Sequence, residues 1–334
     1  MHKQEPNGLA SEVIASAPNC EHWQKKRRSK ALLVEHNGSR YFLKRSDGGS
    51  QPLRNEAKAL RAASAVSENI GVRAAPFVGI DESQDILVTK FAPGVSVFNF
   101  LWNCTAIARP WNWRLQPAAL DTCWRISIWL HQFHSLHDQL VVPGAPRCEA
   151  LLHRFESKIT HAGEERGGLL NVSLGAELLE LANGLLRGGC VVYPDQTLVH
   201  GDFTPTNFLV DKLFQVTILD FGDTEIGFAA EDVARLWFAY YEIASSGGPR
   251  TSLFGHALRS LEVACARTLE QTPDQLFRFL LLLNASIRLT SYARLAANRP
   301  SFRVSLLQRR LARTALRFLE RAAAGTWPAL PNCY

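Results

Sequence analysis

The sequence changes character near residue 95, and this change limits the folds that the chain can adopt. Before it, short runs of β-prone residues alternate with polar turns. After it, long amphipathic segments with a helical period predominate. The 334 residues, 46% of them hydrophobic, are enough for one large domain or two modest lobes. We therefore expect an α+β protein with a small antiparallel, β-rich N-lobe and a larger, mostly helical C-lobe.

The clearest local prediction is a β-hairpin in the first part. Residues 31–35 and 40–44 are both β-prone, and Asn37-Gly38 lies between them. Asn-Gly accepts positive φ at both turn positions, which a two-residue hairpin turn requires. Pro93-Gly94 interrupts the pattern and indicates the connection to the second part. This predicts an N-lobe over 1–92 and a C-lobe over 93–334.

The other elements are predicted from the spacing of apolar residues and from local composition. In the N-lobe they are a helix over 53–65 and strands over 75–80 and 85–91. In the C-lobe they are one hairpin, 207–210 with 216–220, and helices over 120–137, 148–161, 175–187, 230–245, 252–270, 274–296 and 302–323.

Cysteine usage and hydropathy predict a cytoplasmic protein. The seven cysteines are scattered and form no C-x-x-C pair, so the pattern favours neither a zinc site nor a disulfide framework. Residues 1–10 are polar, which argues against a signal peptide. No segment reaches the roughly 18 consecutive apolar residues of a membrane span.

The charge balance favours anionic partners. Formal net charge is +6, and the excess lies in residues 25–30 and in the arginine-rich carboxy-terminal helices. Nucleotide phosphates, an acidic membrane surface and nucleic acid would each fit this excess. No nucleic-acid-binding motif is present, so we expect no nucleic-acid partner, while peripheral membrane contact and the oligomeric state stay open.

The chemistry is concentrated in two short stretches, 198–207 and 218–223, whose notable polar residues are Asp202, Asn207 and Asp220. If the second hairpin closes through residues 212–215, Asn207 lies directly opposite Asp220, with side chains roughly 5 Å apart. An amide oxygen and a carboxylate would then converge. Mg²⁺ prefers such oxygen ligands and completes its shell with water and substrate phosphates. This predicts a magnesium site, with Asp202 close to the acceptor.

These stretches resemble the aminoglycoside phosphotransferase and choline kinase-like family. The family pattern H-G-D-x-x-x-x-N is matched at His200–Asn207, and the Asp-Phe-Gly that follows a second strand is matched at Asp220–Gly222. Lys44, at the end of a strand, and Glu56, on the next helix, match the family's phosphate-anchoring lysine and its partner glutamate. The resemblance implies a protein-kinase-like two-lobed fold. It also implies transfer of the γ-phosphate of ATP, with Mg²⁺, to a hydroxyl of a small molecule or sugar.

The resemblance also assigns roles. Asp202 would orient the acceptor hydroxyl and receive its proton, Asn207 and Asp220 would hold Mg²⁺, and His200 would be structural. These roles suit phosphoryl transfer, which needs mainly positioning and charge neutralisation. The residues assigned to the nucleotide are Lys44, Glu56, Thr89, Lys90 and Phe91, the last three through backbone groups at the adenine edge.

One departure from the family keeps alternatives open. The family usually has a glycine-containing turn over the phosphates, whereas residues 19–31 contain no glycine and carry Lys25-Lys26-Arg27-Arg28 instead. These cations would either cover the phosphates or form a solvated surface. The alternatives are a kinase of a lipid-linked or polysaccharide sugar, and a catalytically silent kinase-like binding module. The arginine-rich carboxy-terminal helices favour a neutral or anionic acceptor over a polycationic aminoglycoside.

Overall fold

The structure is a computed structural model of the whole chain. It describes residues 6–17, 24–25, 29–46, 50–66, 68–104, 114–135, 144–164, 170–187, 194–246, 251–297 and 302–328. The chain divides into two compact units. The first comprises Met1–Phe100 and His200–Glu225, and the second comprises Leu101–Val199 and Ile226–Tyr334. The lobe boundary predicted at 92/93 stays a prediction, since a grouping by contacts does not define a lobe.

The described strands are β1 (Gln24–Lys25), β2 (Ser29–His36), β3 (Ser39–Ser46), β4 (Val72–Ala74), β5 (Phe77–Asp81), β6 (Ile86–Lys90), β7 (Val95–Ser96), β8 (Gln196–Val199), β9 (Phe208–Val210), β10 (Val216–Ile218) and β11 (Glu225–Phe228). The described helices are α1 (Pro6–Ala15), α2 (Ser50–Ala63), α3 (Val97–Cys104), α4 (Gln116–Ser135), α5 (Gly144–Glu164), α6 (Val172–Arg187), α7 (Ala229–Ala244), α8 (Thr251–Ala264), α9 (Ala266–Glu270), α10 (Asp274–Ala297) and α11 (Phe302–Ala323). The α+β prediction is confirmed.

The first unit contains a five-stranded sheet in the order β1-β2-β3-β6-β5. The predicted hairpin is present: β2 and β3 pair antiparallel, and Asn37 and Gly38 have φ of 49° and 71°. Both turn residues therefore take the left-handed conformation that the Asn-Gly pair predicts. No element was predicted before residue 31, yet α1 lies there, and its buried Val13 packs in a cluster with Leu43 of β3 and Val88 of β6.

A second sheet of the first unit has the order β4-β10-β9-β7. Its centre is the predicted hairpin β9–β10. Strand β4 was not predicted; it pairs parallel with β10 through Val72↔Val216 and Ala74↔Ile218. Three residues are too few to show a strand period, and their partner strand is distant in the sequence. This sheet fixes the stretch between Asn207 and Asp220.

In its described residues the second unit contains helices and a two-stranded sheet of β8 and β11. Its core is aromatic: Trp129, Trp237 and Tyr240 are almost fully buried. The predicted helix over 252–270 is two helices, because Cys265 has φ −104° and ψ 17°, outside the helical region, and ends α8. No helix in the described ranges has the length and apolar character needed to span a membrane.

Candidate active site

The register of the hairpin β9–β10 corrects one prediction about the site. Phe208 pairs with Ile218, and the amide of Leu219 donates a 2.8 Å hydrogen bond to the Asn207 carbonyl. Asn207 therefore lies opposite Leu219, and the prediction that it faces Asp220 is wrong by one residue. Asp220 comes after the strand has ended, with φ 61° and ψ 65°. This left-handed conformation is uncommon for a residue with a β-carbon, although aspartate adopts it more readily than most.

Asp220 binds Lys44, which the sequence analysis had placed at the nucleotide phosphates. Lys44 Nζ lies 2.7 Å from Asp220 Oδ1, and 2.9 and 3.1 Å from the two carboxylate oxygens of Glu56. The lysine thus bridges β3, α2 and the end of the β9–β10 hairpin. The predicted pair of Lys44 and Glu56 is present in the structure. The direct contact of Lys44 with Asp220 was not predicted.

Burial and the neighbouring charges shift the pKa values of Lys44 and Glu56 in opposite directions. Burial lowers the pKa of Lys44, but the neighbouring carboxylates of Glu56 and Asp220 outweigh it and raise that pKa above its ordinary value. Lys44 is therefore a cation at any physiological pH. Burial raises the pKa of Glu56, and the charge of Lys44 opposes this shift. The Asp220 side chain is about half exposed, at 49%, so this end of the cluster is open to solvent.

Asp202 lies in the loop that joins His200 to β9. The Asn207 amide group donates two hydrogen bonds of 2.9 Å to Asp202, one to the carboxylate Oδ2 and one to the backbone carbonyl. These bonds hold the carboxylate and fix the orientation of the Asn207 side chain. With its nitrogen turned to Asp202, Asn207 has Oδ1 as the atom that could ligate a cation.

His200 is buried against this loop and holds it through backbone hydrogen bonds, as predicted from the sequence. It is completely buried, and its ring packs against Phe203 and Phe221 with centroids 5.5 and 4.6 Å apart. The Asp202 amide donates to its Nδ1 at 3.3 Å, so the proton resides on Nε2, which donates to the Leu219 carbonyl at 3.0 Å. Because both ring nitrogens are occupied by backbone groups, His200 positions the loop.

Two glycines of the site were not singled out from the sequence. Gly201 has φ +80°, and a β-carbon there would lie 2.1 Å from the Asp223 carbonyl oxygen. A β-carbon on Gly222 would lie 3.0 Å from Lys44 Nζ and 3.3 Å from Glu56 Oε2. Glycine at 201 therefore permits the loop conformation, and glycine at 222 leaves room beside the ion cluster. The tripeptides His-Gly-Asp and Asp-Phe-Gly were the available signals.

Two of the backbone amides predicted to face the adenine edge have partners within the protein. Lys90 donates its amide to the Pro76 carbonyl at 2.9 Å, and Phe91 donates its amide to the Arg40 carbonyl at 2.9 Å. These two amides are used within the protein and are not available to a nucleotide base in this structure. Thr89 lies inside β6 and pairs with Phe42 and Phe77 on its two sides. A role for the carbonyl groups of this segment stays a prediction.

The basic cluster contributes little to the described structure. Lys25 belongs to β1 and pairs with Lys30 of β2. Lys26, Arg27 and Arg28 lie outside the described residues. Within the described ranges, no group of three or more His, Cys, Asp or Glu side chains could hold a metal ion. Mg²⁺ does not need such a group, since it takes one or two protein carboxylates with phosphate and water.

Comparison with known proteins identifies the family. Residues 27–266 match the Phosphotransferase enzyme family, abbreviated APH. The chain belongs to this family. The resemblance inferred from the His-Gly-Asp and Asp-Phe-Gly stretches is thereby confirmed, and the chain is a phosphotransferase. Among curated proteins, none matches the sequence at a significant level.

Solved structures of similar fold include other APH phosphotransferases and related kinases. A protein from Ralstonia eutropha JMP134, provisionally assigned as an aminoglycoside phosphotransferase, is 12% identical with a TM-score of 0.61, over 95% of this chain and 97% of that one. Amicoumacin kinase with AMP-PNP, Ca²⁺ and amicoumacin is 15% identical with a TM-score of 0.54, over 95% and 94%. A streptomycin–ATP–APH(2")-IIa complex is 14% identical with a TM-score of 0.53, over 88% and 91%. At these identities the likeness concerns the fold, which is that of the kinase-like APH phosphotransferases.

Proposed function

We propose that this APH phosphotransferase transfers the γ-phosphate of ATP, with Mg²⁺, to a hydroxyl group of a small molecule. The observation that carries the proposal is the ion cluster in which Lys44 bridges Glu56 and Asp220. Such a cluster places one cation and one half-exposed carboxylate side by side. A nucleotide phosphate and a metal ion need these two charges.

Asp202 has the position and the support expected of the residue that receives the acceptor proton. Its carboxylate is held by the Asn207 amide, and its backbone amide is held by His200. A weakly basic carboxylate suffices because phosphoryl transfer depends mainly on positioning and charge neutralisation. Asp202 would orient the hydroxyl towards the γ-phosphorus and accept its proton as the new P–O bond forms. The bond between the γ-phosphorus and the β–γ bridging oxygen would break in the same step, and ADP would leave.

Lys44 would bind the α- and β-phosphate oxygens of the nucleotide. Glu56 is almost completely buried and keeps the lysine extended from β3. The lysine is charged in this setting, because the carboxylates raise its pKa. Its bond to Asp220 would then exchange for a bond to phosphate, which leaves the Asp220 carboxylate for the metal.

The residues at the end of the hairpin fit a magnesium ion. Asp220 offers a half-exposed carboxylate, and Asn207 is oriented with its amide oxygen as the remaining ligand atom. These hard oxygen donors are of the type that Mg²⁺ selects. When bound, Mg²⁺ neutralises charge that develops on the phosphate oxygens.

Charge favours a neutral or anionic acceptor. Streptomycin and amicoumacin accompany two of the similar structures. In this chain, residues 294–334 contain eight arginines and one acidic residue, Glu320. This excess of positive charge, together with the formal net charge of +6, would repel a polycation. A sugar hydroxyl, free or linked to a lipid or polysaccharide, fits this expectation.

The test is a screen of neutral, anionic and cationic hydroxyl compounds with γ-labelled ATP and Mg²⁺. Each acceptor that becomes labelled is repeated with Asp202→Asn, which keeps the size of the side chain. We expect turnover to fall by about 10² to 10⁴, with nucleotide binding retained. The matched control is Asp195→Asn, at an exposed position. Equal turnover in wild type and Asp202→Asn would contradict the catalytic role, and nucleotide binding without any labelled acceptor would support the silent binding module.

A further inference from the structure

The outward surface of α11 consists mainly of arginine. Its described exposed residues include Arg309, Arg310, Arg313, Arg317 and Arg321, here called the arginine face. At 3.6 residues per turn these five residues fall within about 120° of the helix circumference and along roughly 18 Å of its axis. The opposite side of the helix is apolar and buried, as Leu311, Phe318 and Leu319 show. The helix is thus held by its apolar side while the guanidinium groups face solvent.

The described residues do not neutralise four of these five arginines. Arg310 donates from Nε to the Ser246 carbonyl at 2.6 Å. Within the described residues, the side chains of Arg309, Arg313, Arg317 and Arg321 make no ion pair or hydrogen bond. The other described residues that are exposed in the same sector are Glu320 and Ala324, so the described part of the sector has one acidic side chain and five cations.

The stability of helix α11 does not explain why arginines recur at every fourth residue. Arg309, Arg313, Arg317 and Arg321 are spaced by four residues, and like charges at that spacing destabilise an isolated helix. Cations near a helix carboxy terminus are favourable, but this effect acts only within the last turn and covers Arg321. Three of the four arginines have no such explanation. Their common feature is that they can meet an anion outside the chain.

The shape and chemistry of the arginine face indicate an extended anionic surface. Guanidinium groups bind phosphate and carboxylate oxygens in a bidentate manner. A convex helix surface cannot enclose a small anion, but long arginine side chains from a 120° sector can bend towards one plane. Among the described residues from Arg309 to Arg321, the sector offers no aromatic side chain for base stacking and no amide or hydroxyl side chain for reading base edges. These absences favour a lipid surface over nucleic acid.

We propose that the arginine face of α11 docks the protein on an acidic phospholipid surface, with its guanidinium groups on the lipid phosphates and carboxylates. Basic clusters of this size on an amphipathic helix bind anionic leaflets in this way. The apolar side of α11 is already buried in the protein, so the contact is electrostatic and the helix does not insert. The inference is independent of the proposed function.

The experiment is co-sedimentation of the full-length protein with vesicles of phosphatidylcholine alone, or with about 30% phosphatidylserine. The test variant combines Arg309→Gln, Arg313→Gln, Arg317→Gln and Arg321→Gln, since glutamine is also a good helix former. The matched control combines Lys58→Gln, Arg73→Gln, Arg259→Gln and Arg267→Gln, which removes the same formal charge at other exposed positions. We expect acidic vesicles to bind the wild type and the control, and to bind the test variant about 1,000-fold more weakly.

Salt and conservative variants complete the test. Binding of the wild type should disappear near about 1 M salt, where exposed charges are screened. If the quadruple variant loses the helical circular dichroism signal, the double variant Arg313→Gln with Arg317→Gln replaces it, and its expected loss of vesicle binding is about 30-fold. The proposal is overturned if acidic vesicles do not bind the wild type, or if the test and control variants lose binding equally. Arginine-dependent binding of a single-stranded RNA that is tighter than vesicle binding would also overturn it.

Discussion

Asp220 is the residue on which the metal assignment depends. It supplies the half-exposed carboxylate of the ion cluster, and Lys44 retains Glu56 as a partner when Asp220 is removed. We expect Asp220→Ala to fold normally and to lose Mg²⁺-dependent nucleotide binding. Calorimetric titration of ATP with and without Mg²⁺ measures this, with Asp121→Ala at an exposed helix position as the control. Unchanged Mg²⁺–ATP binding in Asp220→Ala would exclude this carboxylate as a ligand.

Gly201 tests whether the loop conformation requires glycine. A β-carbon at Gly201 would meet the Asp223 carbonyl oxygen at 2.1 Å, whereas at Gly38, which also has positive φ, it would meet nothing within 4 Å. We expect Gly201→Ala to lower the free energy of unfolding by at least about 3 kcal/mol, through a clash in addition to backbone strain. Gly38→Ala carries the strain alone and should cost about 1 kcal/mol. Chemical denaturation of both variants gives the comparison, and equal losses would show that the contact with Asp223 is unimportant.

Helix α1 makes a separate contribution to the first unit, because it lies before the residues 27–266 that match the family. Val13 is fully buried against the five-stranded sheet that carries Lys44. We expect Val13→Ala to lower the free energy of unfolding by about 2 kcal/mol, from lost burial and a residual cavity. Glu12→Ala, on the exposed side of the same helix, should change it by less than about 0.5 kcal/mol. A Val13→Ala protein as stable as Glu12→Ala would mean that α1 is dispensable.

Stability of the complete protein should depend on pH through Glu242. Complete burial raises the pKa of Glu242 above its ordinary value of 4.5, although Arg288 and the Tyr292 hydroxyl, at 2.7 Å, oppose the shift. Above pH 4.5 the folded state therefore holds a proton that the unfolded state has lost, and stability falls as pH rises. Within the described residues, Glu242 Oε2 has no hydrogen-bond partner. The ionised form is poorly compensated for this reason.

Glu242→Gln removes this titration while it keeps the size of the side chain. We expect the free energy of unfolding of the wild type, relative to Glu242→Gln, to decrease as pH rises above 4.5. Denaturation curves of both proteins across this range measure the difference. Glu270→Gln, at an exposed position, should run parallel to the wild type. A constant difference between wild type and Glu242→Gln would show that Glu242 titrates normally.

Local rules were sufficient for much of the fold and for the family. Asn37-Gly38 predicted its turn because few other pairs tolerate positive φ twice, and the long helices were predicted because their apolar period is sustained. The His200–Asn207 and Asp220–Gly222 stretches predicted the family because their spacing is specific. In each case the information lies within a few neighbouring residues.

Other features of the fold and of the site depend on contacts between segments that are distant in the sequence. The three-residue strand β4 exists because β10 pairs with it, and the register of β9–β10 places Asn207 opposite Leu219. The amides of Lys90 and Phe91 are used by carbonyls of other segments, which no local pattern records. Asp220 takes a left-handed conformation and contacts Lys44 across 176 residues of sequence. The sequence supplies the chemical groups, whereas their register and partners depend on pairing between distant segments, which local propensity does not encode.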